Sequence, residues 1–176
     1  MTATTAALRL VGALALALAS AFSPVGTAAE TLAAAATPAF DPVAFFTGST
    51  QGIGQLKKVF SSAHRTVSHG HGVMRADGVL VLDQRVEEQG EPLRVRQWQL
   101  RQTAPGHFSG SLSDASGPVS ATVAGNRLAI HYTMRGGMRV DQLLTLAAGG
   151  QSASNVMKIS KFGMTVATLT ETIRRV

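Results

Sequence analysis

From Gly48 to the C-terminus the chain is interrupted at short, even intervals by residues that make tight turns. They are Asp77-Gly78, Gly90-Glu91-Pro92, Pro105-Gly106, Gly117-Pro118, Gly125-Asn126, Gly136-Gly137, Gly149-Gly150 and Gly163. Between them lie runs of roughly 7–12 residues rich in Val, Leu, Ile and Thr, the length of single strands. No stretch sustains a helical period, and neither heptads nor sequence repeats occur. The spacing therefore predicts an all-β meander of about ten strands over residues 48–176.

The runs alternate. In 127–135, Leu128, Ile130, Tyr132 and Met134 share a face opposite Arg127, Ala129, His131, Thr133 and Arg135. In 138–146, Met138, Val140, Leu144 and Leu146 share a face with Gln142; in 164–175, Ala167, Leu169 and Ile173 share one with Glu171. A sheet with one apolar face must hide it, and rolling the sheet closed does so without leaving an edge. We expect an antiparallel up-and-down barrel of about 8–10 strands, with room inside for one small apolar ligand. A sandwich or open half-barrel filled by its own side chains is the alternative. Hydrophobic residues make up 45% of the 176-residue chain, enough for a globular core. The length excludes a TIM barrel or a full doubly wound dehydrogenase.

Residues 1–29 read differently. Arg9 is their only charge, an uncharged run follows from Leu10 to Phe22, and small residues Thr27-Ala28-Ala29 precede Glu30. This is the layout of a secretory signal peptide. The apolar run is short of the roughly 20 residues a spanning helix needs, which disfavours the alternative of a retained anchor. The chain is expected to be exported, to the periplasm where an outer membrane exists. It has no cysteine. That removes lipoprotein acylation, disulfides, thiolate catalysis and Cys-based zinc sites together. Residues 30–40, Ala/Thr-rich with Pro38, read as a flexible tail. Asp41-Pro42 is a helix-start signal, so Val43-Ala44-Phe45-Phe46 should form a short helical turn opening a single barrel domain over 41–176.

The formal net charge is +6, from 16 Lys+Arg and 10 Asp+Glu. Nucleic-acid binding would need a basic stripe interleaved with aromatics, and the chain has only one Trp, one Tyr and seven Phe. Attraction to an anionic membrane surface or an acidic ligand is the better meaning of the excess.

Thr47-Gly48-Ser49-Thr50-Gln51-Gly52-Ile53-Gly54 spells TGxxxGIG, the cofactor loop of the short-chain dehydrogenases. That loop requires a buried strand before it and a packing helix after it. Here Pro42 suits no central strand, Gln55–Phe60 is too short for the helix, and Tyr132 has Gly136 where the catalytic Lys would stand. A Gly-rich first strand that bends to begin a barrel explains the segment better, and no cofactor is implied.

Phe45-Phe46-Thr47-Gly48, Asp77-Gly78, Arg96-Gln97-Trp98, Gly117-Pro118-Val119, Gly125-Asn126 and Lys161-Phe162-Gly163 together resemble a bacterial envelope family catalogued as domain of unknown function 3833. The resemblance covers about residues 43–175. It implies a lipocalin-like β-barrel and no settled activity. Many members look like lipoproteins, from which this cysteine-free chain departs. The family is loosely associated with membrane-lipid modification genes, which tilts the expected ligand toward lipids.

Candidate site residues follow from the strand faces. Arg94, Arg96, Trp98 and Leu100 share one face. Two arginines beside a Trp can hold a carboxylate or phosphate head while the ring packs a tail. Solvent-facing arginines and a Trp on the barrel exterior are the alternative. Glu171 among Ala167, Leu169 and Ile173 needs a partner if it points inward, with Arg96 or Lys161 as candidates. Asp83 and Gln84 are ambiguous, because both faces of 79–86 carry apolar residues. His69-Gly70-His71 puts two imidazoles on one face, but His64 has the opposite parity and no third ligand is evident, so no metal is expected. No GxSxG motif or paired carboxylates nominate a catalytic site.

The leading expectation is thus an exported binding protein holding a hydrophobic or amphipathic, lipid-like molecule in a barrel cavity. Arg96, Trp98, Tyr132, Met134 and Glu171 are the cavity candidates. Leu128, Ile130, Val140, Leu144, Leu169 and Ile173 complete the expected lining. A filled barrel acting as an envelope assembly factor, and an enzyme modifying a lipid or isoprenoid, are the alternatives. An enzyme is the less favoured.

Overall fold

The structure is a computed structural model and describes residues 38–176. The leader expected over 1–29, and all but the last three residues of the tail expected over 30–40, lie outside the described residues. The chain enters the fold through a cap. Asp41 Oδ1 accepts hydrogen bonds from the backbone N–H of Val43 (2.9 Å) and Ala44 (3.0 Å). Pro42 takes the first helical position, where an N–H would go unused. Helix α1 (Pro42–Phe46) is the expected single turn.

Ten strands follow: β1 (Gly48–Lys58), β2 (Ala63–Met74), β3 (Val79–Glu88), β4 (Arg94–Ala104) and β5 (His107–Leu112), then β6 (Val119–Ala124), β7 (Arg127–Met134), β8 (Met138–Leu146), β9 (Ser152–Lys161) and β10 (Met164–Arg175). Each pairs antiparallel with its sequence neighbours, and β1 also pairs with β10, so the sheet closes. The fold is the predicted up-and-down barrel, at the upper end of the expected strand number. Eight of the nine connections fall on the turn residues named above; the ninth, 59–62, carries no glycine.

The alternation holds around the whole barrel. Even-numbered residues of β1–β5, β7, β8's Met138–Leu146 run and odd-numbered residues of β6, β9 and β10 point inward. The side chains of 128, 130, 132 and 140, 142, 144 are accordingly buried, as expected. One half of the interior is solid. Phe40, Phe45 and Phe46 cluster at that end, with ring centroids 5.0–6.5 Å apart. The Phe40 N–H donates to the Gly125 carbonyl at 2.9 Å, which ties the entering chain to the β6–β7 turn. Gly72 permits the closure: a Cβ there would lie 2.8 Å from the Phe46 carbonyl carbon. Above the phenylalanines, Leu80, Leu128, Val140, Leu144 and Ala153 are at most 1% exposed. Phe40, the last residue of the expected flexible tail, is instead a core residue. Its burial of an aromatic ring outweighs the loop-like composition around it.

Candidate functional site

The opposite half of the barrel is hollow. A cavity of about 590 Å³ opens between the β1–β2, β3–β4 and β7–β8 connections. Its wall is apolar, built from Leu56, Val86, Met138, Met157, Ile159 and Leu169, with Met134 near the mouth. A second, much smaller space of about 40 Å³ lies below, among Leu82, Trp98, Leu100, Ile130 and Ile173. Gln84, Arg96 and Glu171 line both. They form a polar layer that is the floor of the upper cavity and the roof of the packed half.

That layer is bonded together. Gln84 Oε1 accepts from Arg96 Nε (2.8 Å) and from Trp98 Nε1 (3.1 Å). The Arg96 guanidinium carbon lies 5.6 Å from the Trp98 ring centroid, and Asp114 Oδ2 stands 3.8 Å from Arg96 Nη1. Trp98 meets Tyr132 edge-on, with centroids 5.4 Å apart at 87°. On the far side, Glu171 Oε1 accepts from Asn155 Nδ2 at 2.7 Å, and Ser68 Oγ reaches Oε2 at 3.5 Å. Burial pushes the Glu171 carboxyl above its usual range, and these bonds and the Arg96 charge only partly oppose it. Burial likewise pushes the Tyr132 hydroxyl up, with Arg96 working against it. Among the described residues, Thr66 Oγ1, Gln142 Oε1 and Asn155 Oδ1 are buried near this floor without a hydrogen-bond partner.

The TGxxxGIG segment has a structural explanation here. Gly52 and Gly54 face Glu171 across the β1–β10 pair, where Gly54 is directly opposite it. A Cβ on Gly52 would sit 2.6 Å from Glu171 Oε2, and one on Gly54 would sit 2.7 Å from the Glu171 Cα. The glycines make the space in which the carboxyl lies.

The rim is charged. Glu88 Oε1 is 2.6 Å from Lys58 Nζ, and Glu88 Oε2 is 3.3 Å from Arg94 Nη2; Glu91 Oε1 is 3.1 Å from Lys58 Nζ. The hydrogen bond to Glu88 is the main cause that raises the Lys58 pKa.

Four of the five candidates, Arg96, Tyr132, Met134 and Glu171, line the large cavity, and Trp98 lies just beneath it, supporting Arg96. The expected lining needs correction elsewhere. Leu128, Val140 and Leu144 face inward but belong to the packed half, and Ile130 and Ile173 border only the small space. Alternation tells which side a residue faces, not the level at which the interior is filled. Gln84 is inward, whereas Asp83 is outside, bonded to Gln97 Nε2 at 2.8 Å. Of the proposed Glu171 partners, Lys161 is elsewhere, with its Nζ over the Phe162 ring. Sequence reasoning missed Asn155 and Ser68, and left the face of Gln84 open. The pairing of Asn155 with Glu171 across β9 and β10 needs a register that no single-strand pattern supplies. His69 and His71 are exposed on the outer face, and among the described residues no three His, Asp or Glu side chains gather into a metal-holding group.

A ten-stranded antiparallel meander, closed on itself and packed in one half only, is a cavity-bearing β-barrel. The chain belongs to the family described as protein of unknown function (DUF3833), whose model matches residues 20–175. The fold is shared with several solved structures at low identity. An S-type phycobiliprotein lyase, CPES, from Guillardia theta is 9% identical with a TM-score of 0.58, over 76% of this chain and 90% of that one. Rv2717c from M. tuberculosis is 17% identical with a TM-score of 0.59, over 78% and 99%. A protein of unknown function from the DUF3598 family of Nostoc punctiforme is 12% identical with a TM-score of 0.56, over 81% of this chain and 51% of that one. No curated protein matches the sequence significantly.

Proposed function

We propose that the chain binds an acidic, lipid-like amphiphile in the barrel cavity, polar head on the floor and tail along the wall. The observation that carries this is the polarity gradient of the 590 Å³ space, apolar at the wall and polar at depth, with Arg96 on its floor. Its volume is that of small-molecule sites, which are largely apolar with a few orienting groups. Arg96 offers a fixed guanidinium backed by Trp98 and Gln84, suited to a carboxylate or phosphate. The buried, unpartnered Thr66 Oγ1, on the cavity lining, adds a place for a ligand's polar atom. The cavity argues against the filled-barrel reading. That the similar barrel from Guillardia theta is a phycobiliprotein lyase agrees with small-molecule handling by this architecture.

The test uses the protein's only tryptophan, which lies under the floor. Fatty acids and lysophospholipids titrated into the protein are expected to change Trp98 emission. Native mass spectrometry of protein from its own cells should find a lipid-like molecule bound. Arg96→Gln should weaken binding about tenfold or more, since a hydrogen bond to a charged group contributes about 1.5–3 kcal/mol. No response from correctly folded protein, for any amphiphile, would end the reading.

One observation favours a second reading. Glu171 and Tyr132, both with raised pKa, face one cavity, as the acid–base groups of an enzyme on a lipid or isoprenoid would. Mass analysis of the extracted ligand before and after incubation with protein separates the two, because a binder returns it unchanged. The signal-peptide layout of residues 1–29 supports export, with the proposed activity then in the periplasm. A cellular protein whose N-terminus is still Met1 would refute that.

A further inference from the structure

Two large aromatic side chains stand in water at the end of the barrel where the cavity opens, outside its lining. Phe60, in the β1–β2 connection, and Phe162, in the β9–β10 turn, are 105% and 89% exposed. They are also the two non-glycine residues with positive φ among the described residues, at 62° and 51°. Ten glycines hold the other left-handed positions. For a bulky residue this conformation is strained, and an asparagine or glycine would make either turn at lower cost. Nothing in the packing of the fold accounts for phenylalanine there.

The two tips are neighbours. Lys58 pairs with Ala167 across β1 and β10, and the Val59 N–H donates to the Val166 carbonyl at 2.9 Å. Val59 and Met164, 48% and 67% exposed, extend the apolar patch. Exposed Lys57, Arg65, Lys158 and Lys161 surround it, and residues 57–65 and 158–170 contain no Asp or Glu. The acidic residues nearest the patch, Glu87, Glu88 and Glu91, are on β3 and the β3–β4 connection; Lys58 holds Glu88 and Glu91, and exposed Glu87 shares a recess with Arg65. Lys161 Nζ lies 5.6 Å over the Phe162 ring, an aromatic and a cation presented together.

We propose that this part of the rim docks the barrel on an anionic phospholipid bilayer. Phe60 and Phe162 enter the headgroup region and the surrounding lysines meet the phosphates, so that the cavity opens onto the membrane. Protruding aromatics with basic neighbours are the two signals that reversible surface binding combines. Rings projecting from a patch fringed by lysines match the layered chemistry of a bilayer surface, phosphate outside and apolar beneath. Docking deepens the ligand reading by giving the cavity access to membrane lipid, but it rests on the rim residues alone.

The absence of cysteine from the chain makes single-site labelling direct. An environment-sensitive fluorophore is placed at Phe60→Cys, at Phe162→Cys, and at Ala148→Cys in the β8–β9 connection at the other end of the barrel. With vesicles of mixed phosphatidylglycerol and phosphatidylcholine, the first two labels should shift to the blue and be quenched by nitroxide-bearing lipid; the third should not. High salt should reverse the effect, and Phe60→Asn with Phe162→Asn should lower vesicle partitioning at least tenfold while the circular dichroism stays native. The proposal is overturned by no shift at 60 and 162, by an equal shift on pure phosphatidylcholine, or by unchanged partitioning of the double variant. It is also overturned if the tips instead join two copies of the chain, read as a vesicle-free dimer that the double variant abolishes. Lysophospholipid titration without vesicles reports the cavity separately: a silent Trp98 beside positive labels removes the ligand reading and leaves docking standing.

Discussion

Glu171 shows how one residue acquires a property its own chemistry does not have. Its carboxyl is held above the ordinary value of 4.5 because burial disfavours the charge more than Asn155, Arg96 and Ser68 relieve it. The folded state therefore holds the Glu171 proton more tightly than the unfolded chain does. Below about pH 4.5 folded and unfolded chains both carry the proton and Glu171 adds no pH dependence. As pH rises from there through the raised folded value, the unfolded chain releases its proton first and stability is lost. Above that window the loss is constant. Glu171→Gln, which keeps an acceptor for Asn155, should remove this slope and be more stable than wild type at neutral pH, the difference vanishing under acid. Urea unfolding at a series of pH values measures it; parallel curves for both proteins would refute it. The inward face of Glu171 was legible from its apolar neighbours at i±2. Its partners were not, because Asn155 meets it only through the register of the β9–β10 hairpin and Ser68 reaches it from β2, far away in sequence.

At the scale of elements, the short N-terminal segment does more than its length implies. Helix α1 and Phe40 close one end of the barrel and set how deep the solid half extends. Phe45, 3% exposed and packed between Phe40 and Phe46, is the centre of that plug. Phe45→Ala should cost about 3–5 kcal/mol, the range for an aromatic truncated in a core. Asp41→Ala should cost about 1 kcal/mol through the lost cap. Denaturant midpoints with an unchanged m-value are the measurement. A Phe45→Ala loss no larger than that of Asp41→Ala would mean the plug is peripheral. The cap and the helical turn were readable, because capping is local: Asp41, Pro42 and the N–H groups they serve lie within four residues. The plug was not, since it depends on Gly72 of β2 and Gly125 of the β6–β7 turn, both brought to the N-terminal segment only by closure.

For the whole molecule, the division into a solid and a hollow half predicts unequal responses to the same mutation. Leu144, fully buried in the packed half, should lose about 2–5 kcal/mol on change to Ala. Leu169, on the cavity wall, already borders empty space on one side, so Leu169→Ala should cost much less. Leu169→Trp, by contrast, should leave the fold intact and block ligand entry; an amphiphile still bound to that variant in native mass spectrometry would count against the cavity as the site. Equal losses for the two alanine variants would mean that the interior is packed throughout.

The sequence alone determined the class of architecture. Period-two burial and glycine turns act over a few residues, so strand number, meander order and inward faces were readable without neighbours in space, as were Arg96, Tyr132, Met134 and Glu171 as interior residues. Only the tertiary structure decided which interior residues pack against one another and which surround a void. That outcome depends on how strands far apart in the chain align in register and on what seals each end, and neither quantity exists until the sheet has closed.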